Sequence, residues 1–435
     1  MSATAAKPAN SHLTLRYAVF VGLVYVIFIS CALVLGRGAM IDGDAQTYLT
    51  PAENLARQGV FSGANAPPFA WEGHRTPAYP MLIALSLRLS GRYEWTLYLA
   101  AITAAAAAWC GIRLVEQWNG SRVALHSAGM AFAFLPNSLG LSSQLLTDAI
   151  FGHLVFVWIY LLWTGLRTNS PYRFVSCGLL AVFLEGLKPT FFLAFVLLAL
   201  VGLLLARQWR SWVALALLGL GTIPVPLALA LKNRESHGVF TPTLLGQHTT
   251  RDYLMARYLA AERGVDERVM RPLVRDEDEA TARTMSYPGS FSGRQYLVEK
   301  DSVTRFLHDH PVAAVRLMLV EMIRQLVAHQ DYAFATFTAT VPRWMMWLAR
   351  LMTLGLWGLC AYGGWRLWGG GDRKPAMLVL GVLLFFLVTG SVSGSVGGRL
   401  RFPADITALP LAAIGFSELL RRATLAGSAP VHQPV

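Results

Sequence analysis

Tyr17-Ala18-Val19-Phe20-Val21-Gly22-Leu23-Val24-Tyr25-Val26-Ile27-Phe28-Ile29-Ser30-Cys31-Ala32-Leu33-Val34-Leu35 is a stretch of nineteen residues without a charge, entered from Arg16 and left through Gly36-Arg37. At about 1.5 Å of rise per residue, a helix of this length matches a hydrocarbon core of about 30 Å. No water reaches that core to satisfy backbone N–H and C=O groups, so the stretch must bond to itself as a helix. It is longer than the apolar part of a cleaved leader and lacks a small-x-small cleavage site, which predicts an uncleaved anchor. Nine further runs read the same way, over 95–115, 123–139, 149–166, 174–187, 191–205, 212–231, 344–365, 376–392 and 402–420. The expectation is an all-α polytopic membrane protein with about ten transmembrane helices and juxtamembrane helices on its outer face.

Composition agrees. The 435 residues are 54% hydrophobic and 14% charged, against about 25% charged in soluble chains. The formal charge of +12 would suit nucleic acid, but the basic residues punctuate the gaps between apolar runs instead of forming one patch, which argues against a nucleic-acid partner. With the N-terminus inside, Arg113, Arg122, Arg167, Arg173, Arg207, Arg210, Arg366, Arg373, Lys374, Arg421 and Arg422 all fall on the inner side. Both termini are therefore expected in the cytoplasm. Only five of the 37 basic residues are lysines, a bias typical of GC-rich bacterial genomes, so a bacterial cytoplasmic (inner) membrane is expected. Cys31, Cys110, Cys177 and Cys360 lie in or beside apolar runs at spacings of neither a zinc motif nor a disulfide framework.

Five regions follow from this: a cytoplasmic tail 1–16, an N-terminal transmembrane module 17–232 that includes an outer loop 36–92, a long outer loop 233–343, a C-terminal transmembrane module 344–422, and a tail 423–435. Apolar residues at helical spacing over 312–326 predict an amphipathic helix on the outer surface. No internal repeat is visible, which weakens a transporter reading.

The outer segments hold the candidate chemistry. Asp42-Gly43-Asp44 follows the first membrane exit; Asp-Gly-Asp is turn chemistry, and it is also a pair of carboxylates placed at the interface. Thr50, Pro51 and Glu53 read as an N-cap, a first-turn proline and a capping-box acid, and Gly59 as the stop of that short helix. His74-Arg75-Thr76-Pro77-Ala78-Tyr79-Pro80 leads into the next run. Asp148 opens a span and competes with Thr147 for an N-cap role. Lys188 could snorkel to the interface or pair with Glu185 three residues before it. A cation on the outer side also runs against the inside-positive trend, which favours function. His308-Asp309-His310 lacks identifiable further ligands for a zinc site. The charges of Arg275-Asp276-Glu277-Asp278-Glu279 read as a solvated loop.

The order Asp44-x-x-x-Tyr48, then Gly59-Val60-Phe61, then Arg75-Thr76-Pro77-Ala78-Tyr79-Pro80 resembles the first outer loop of polyprenyl-phosphate-dependent GT-C glycosyltransferases. More narrowly it is similar to the branch of protein O-mannosyltransferases and the aminoarabinose transferase, where glycine usually stands at the place of Ala78. Leu145-Leu146-Thr147-Asp148 resembles the family's second acidic site, Lys188-Pro189-Thr190 its basic residue at the outer face, and Gly398-Arg399-Leu400-Arg401-Phe402-Pro403 its arginine segment ahead of a proline. The resemblance runs from about Asp42 to Leu420. It implies an inverting transfer of a sugar from a polyprenyl-phosphate donor to a lipid, glycan or protein acceptor on the outer face. Asp44 would be the base, with Asp42 as substitute. Asp148 would position substrate or hold a divalent cation with Asp44. Arg75, Lys188, Arg399 and Arg401 would take the phosphate, with Tyr48 and Tyr79 beside them. The alternative is a membrane transporter or lipid flippase, which would place ionisable residues in mid-span.

Overall fold

The computed structural model describes residues 11–35, 43–118, 121–193, 196–197, 202, 209–327, 342–392 and 399–427. Asp42 and Gly398 lie outside the described residues. Helices α1 (Ser11–Val34), α2 (Gly43–Gln58), α3 (Ala78–Ser90), α4 (Tyr98–Trp118), α5 (Arg122–Phe134), α6 (Pro136–Ser142), α7 (Asp148–Thr168) and α8 (Pro171–Leu187) make up the first half. They are followed by α9 (Trp209–Gly221) and α10 (Pro224–His237). Next come α11 (Gly246–Thr249), a π-helical turn Thr250–Met255, α12 (Ala256–Arg263), α13 (Glu267–Thr284), α14 (Phe291–Asp309) and α15 (Pro311–Val327). The chain ends with α16 (Arg343–Gly369), α17 (Lys374–Val392) and α18 (Phe402–Gly427). No strand is present among the described residues.

Seven of the expected crossings coincide with described helices that are long and apolar enough to cross a membrane, from His12–Val34 to Phe402–Leu425. The other three differ. The run 123–139 is divided into α5 and α6, because Leu135 is extended and Pro136 starts a new helix without an N–H to continue the old one. The run 174–187 lies in α8, which has 17 residues. The run 191–205 begins in the 3₁₀ turn Pro189–Leu193 and then passes largely outside the described residues.

The spans pack through small residues, as expected where lipid offers no hydrophobic drive between helices. On α4, Ala100, Ala101, Ala104, Ala107 and Ala108 are all buried. Gly363 of α16 and Gly415 of α18 show the need most sharply. A Cβ on Gly363 would fall 2.0 Å from the Leu411 carbonyl oxygen, and one on Gly415 2.2 Å from that of Leu359, so here backbone rests on backbone. The opposite face of α1 exposes Leu15, Val19, Leu23 and Ile27, the surface a lipid-facing helix carries.

The region 233–343 is helical through most of its described length. The expected amphipathic helix is α15, with Val312, Val315, Leu319 and Ile323 exposed and Ala314, Glu321 and Gln325 buried. The charges around Arg275 correct the solvated-loop reading: they lie on α13, where Met270, Val274, Asp278 and Ala282 form a buried face at four-residue spacing. Arg251, fully buried on the π-helical turn, bonds to Asp252 at 2.8 Å, Asp278 at 3.2 Å and Glu299 at 2.6 Å, and Arg275 bonds to Asp252 at 2.6 Å. This ion network joins α13 and α14 to the turn. The Thr250 hydroxyl donates to the Val392 carbonyl at 3.0 Å and so ties the turn to the end of α17.

Candidate active site

Chain direction alone brings the candidate residues to one end of the bundle. Helix α1 runs up to that end, α7 starts there, α8 finishes there and α18 starts there. The segment 43–92, between α1 and α4 in sequence, meets that end through the bonds of Asp44 and Arg75. Arg122, Arg167, Arg173, Arg366, Lys374 and Arg421 fall at the opposite ends of their helices.

Helix α2 begins at Gly43, earlier than the Thr50 cap predicts, so Pro51 lies inside the helix. The earlier start puts Asp44 in the first turn, where the exposed N–H groups favour a carboxylate. Gln58 ends the helix and Gly59 takes φ +72°, the left-handed stop expected of it.

Asp44 is bound by two guanidiniums. Arg75 Nη2 donates to its Oδ1 at 2.8 Å, and Arg399 Nη1 to its Oδ2 at 2.9 Å. Burial alone would raise this carboxyl, but the charges of Arg75 and Arg399 outweigh burial and hold it below the ordinary carboxylate range. Arg399 also reaches Asp148, with Nη2 donating to Oδ2 at 2.9 Å, so one guanidinium spans both acids. Lys188 Nζ donates to the other oxygen of Asp148 at 2.7 Å and stands 5.4 Å from the centre of the Phe151 ring. The Asp148 side chain is 1% exposed and that of Asp44 43%. The cluster is therefore deep at one carboxylate and open at the other.

Arg75 is held by its other nitrogens as well. Its Nε donates to the Thr47 hydroxyl at 2.8 Å, its Nη1 to the Tyr48 hydroxyl at 3.3 Å, and its charge lies 4.6 Å from the centre of the Tyr48 ring. Tyr79 supports Tyr48 edge to face, with ring centres 5.3 Å apart. The Ala78 Cβ lies 3.0 Å from where a Cβ on Gly186 would stand, so a glycine on α8 leaves room for the methyl group of α3.

Of the residues singled out in the sequence, Asp44, Tyr48, Arg75, Tyr79, Asp148, Lys188 and Arg399 come together. Arg401 does not join them. It is fully buried, forms two bonds with Asp405 at 2.8 and 3.1 Å, and donates to the carbonyl of Gln325 at the end of α15. The predicted Glu185–Lys188 pair is also corrected. Helix α8 ends at Leu187 and Lys188 is extended, with φ −151° and ψ 125°, which turns its side chain off the face it would share with Glu185. Asp148 serves as an ion partner and not as a cap, because it stands one residue inside the helix. Thr47 and Phe151 escaped sequence reading, since a threonine on a helix and a phenylalanine in a span carry no signal of their own.

The donor set does not fit a divalent cation shared by Asp44 and Asp148. Arg399 stands between the two carboxylates, and the ion would meet Arg75 and Lys188 besides. Among the described residues no group of three or more His, Cys, Asp or Glu converges on a metal-sized site.

No protein-family model and no curated protein sequence matches the chain. Solved structures do. The apo oligosaccharyltransferase of Archaeoglobus fulgidus matches with a TM-score of 0.53 at 12% identity, over 97% of this chain and 52% of that one. The same enzyme tethered to an acceptor peptide matches with a TM-score of 0.50 at 13% identity, over 94% and 50%. The chain shares its fold with that enzyme. The chain spans about half the length of the Archaeoglobus enzyme. ArnT from Cupriavidus metallidurans bound to undecaprenyl phosphate also matches, with a TM-score of 0.42 at 13% identity, over 98% of this chain and 82% of that one.

Proposed function

We propose that the chain is a membrane glycosyltransferase that moves a sugar from a polyprenyl-phosphate carrier to a lipid, glycan or protein acceptor on the outer face of a bacterial cytoplasmic membrane. The observation that carries this reading is the single guanidinium of Arg399 bridging Asp44 and Asp148 at one end of a lipid-embedded bundle. Among the described residues the carboxylates of Asp44 and Asp148 face three cations, Arg75, Lys188 and Arg399, a set of side chains suited to holding phosphate oxygens. The basic residues at the other end of the bundle support an outward-facing cluster with both termini in the cytoplasm. The name of the Archaeoglobus relative supports glycosyl transfer as the class of reaction.

The chemistry follows from competition for the same N–H donors. The carrier's phosphate draws Arg399 and Lys188 toward its oxygens, in the planar geometry that guanidinium offers to phosphate. Drawing Arg399 away restores basicity to Asp44, which then accepts the proton of the acceptor hydroxyl as that oxygen attacks the anomeric carbon. The bond from the anomeric carbon to the phosphate oxygen breaks with inversion, and the negative charge left on the lipid phosphate stays against the cations. A transporter or flippase would place its ionisable residues in mid-span. Here Asp148 is the first residue of α7, Lys188 follows the last residue of α8, and Arg399 precedes α18.

Purified protein in lipid, given a panel of radiolabelled polyprenyl-phosphate sugars and a membrane extract as acceptor source, should release label from one donor. Release from none of them contradicts the reading. With the active donor, the two pH profiles should differ. Because Asp44 is held below the ordinary carboxylate range in the free protein, it stays ionised as pH falls, and the acid limb of kcat/KM should lie below about 3.9. The acid limb of kcat should lie at higher pH, since the bound phosphate takes over the guanidiniums. A kcat limb at or below that of kcat/KM would remove Asp44 as the base.

A further inference from the structure

The segment Trp71-Glu72-Gly73-His74-Arg75 packs against the loop after α10, and six of its backbone polar groups are engaged: the N–H of Glu72, His74 and Arg75 and the carbonyls of Trp71, Gly73 and His74. The Glu72 N–H donates to the Phe61 carbonyl at 3.1 Å, and the Leu244 N–H to the Gly73 carbonyl at 2.8 Å. The Thr243 hydroxyl donates to the His74 carbonyl at 3.0 Å, and His237 Nε2 lies 2.9 Å from the Trp71 carbonyl. Trp71 Nε1 donates to Asn233 at 3.1 Å. Gly73 has no room for a side chain: a Cβ there would lie 2.7 Å from Leu244, 2.9 Å from His237 and 3.0 Å from Asn233.

Glu72 closes this strap from within. Its Oε1 accepts from the N–H of His74 at 2.7 Å and from that of Arg75 at 3.3 Å, and stands 3.3 Å from His74 Nδ1. Burial would raise this carboxyl, but the bonds from His74 and Arg75 outweigh burial and keep it ionised. An ionised acceptor bonds about twice as strongly as a neutral one to the same N–H. Arg75 is the residue through which the strap touches the cluster, and its guanidinium sits at the end of a long side chain. A small rotation of the 74–75 peptide therefore carries that group out of reach of Thr47, Tyr48 and Asp44 together.

We infer that Glu72 is a positioning residue: by fixing the backbone N–H groups of His74 and Arg75, it aims the Arg75 guanidinium at Asp44 and at the donor phosphate. This rests on the glycosyltransferase reading. It assigns the loop after α10 a part in the reaction as the outer wall of the strap.

The test is a double-mutant cycle on kcat/KM for the donor, with KM and kcat read separately. Glu72→Ala should raise the donor KM and lower kcat/KM to about the level of Arg75→Ala, and the double variant should be no worse than Arg75→Ala alone. Glu72→Gln keeps a carbonyl oxygen for both N–H groups and should stay within about threefold of wild type. Gly63→Ala probes the same carboxylate without deleting it, because the added Cβ would lie 2.2 Å from Glu72 Oε2; it should raise the donor KM as well. It also serves if Glu72→Ala does not fold. Losses that add in the double variant, or a Gly63→Ala protein with wild-type KM, overturn the inference while the function stands. A wild type inert toward every donor overturns the function, and the inference with it.

Discussion

Arg399→Ala is expected to lower kcat/KM for the polyprenyl-phosphate donor by about a hundredfold to a thousandfold, the range found when one preorganised charge-stabilising donor is removed from an active site. The side chain does two things that no neighbour can replace. It bridges Asp44 and Asp148, at 2.9 Å to each, and it is the group best placed to follow the phosphate as charge builds on it. Arg399→Lys should recover little, because a single ammonium cannot span two carboxylates as a planar fork does. Arg401→Lys, two residues on, should instead act on stability, since Arg401 serves Asp405 and the end of α15. Steady-state kinetics beside thermal unfolding in detergent separate the two. Equal loss of activity per degree of lost stability in the Arg399 and Arg401 variants would contradict distinct roles.

The second large effect is expected at Asp44→Asn. The change removes the proton acceptor while keeping shape and volume, and should cost about 10² to 10⁴ in kcat. Donor KM should change little, because an amide still accepts from Arg75 and no longer competes for Arg399 as a charge. Single-turnover measurements with saturating donor read the chemical step directly. A variant that keeps kcat but loses donor affinity would make Asp44 a binding residue instead of a base.

How much of this was legible in the sequence depends on distance along the chain. Seven of the ten expected spans were, because hydrocarbon thickness sets a length that composition cannot hide; the other three runs are shorter or interrupted by Pro136 and by the turn at Pro189. So was α15, whose apolar spacing needs no partner to be seen. The start of α2 was not: Thr50-Pro51-Glu53 is a strong local cap signal, yet Asp44 is held by Arg75 and Arg399, partners 31 and 355 positions away. Helical spacing offered Glu185 to Lys188, while the extended backbone after Leu187 gave it Asp148. Arg399 and Arg401 look alike in Gly-Arg-Leu-Arg-Phe-Pro. Which faces the acids and which faces Asp405 is decided by where α18 begins, a matter of packing and not of residue type. The resemblance to GT-C enzymes located most of the cluster. It could not show that the same cations neutralise both acids.

That shared use of cations is tested most directly by the affinity of the protein in nanodiscs for a polyprenyl phosphate without sugar, measured for wild type, Arg399→Ala and Asp44→Asn. If phosphate and carboxylates compete for Arg399, Arg399→Ala should bind at least about tenfold more weakly, while Asp44→Asn binds as tightly as wild type or tighter. Unchanged affinity in Arg399→Ala, or weaker binding in Asp44→Asn, would show that the lipid phosphate does not come to this cluster.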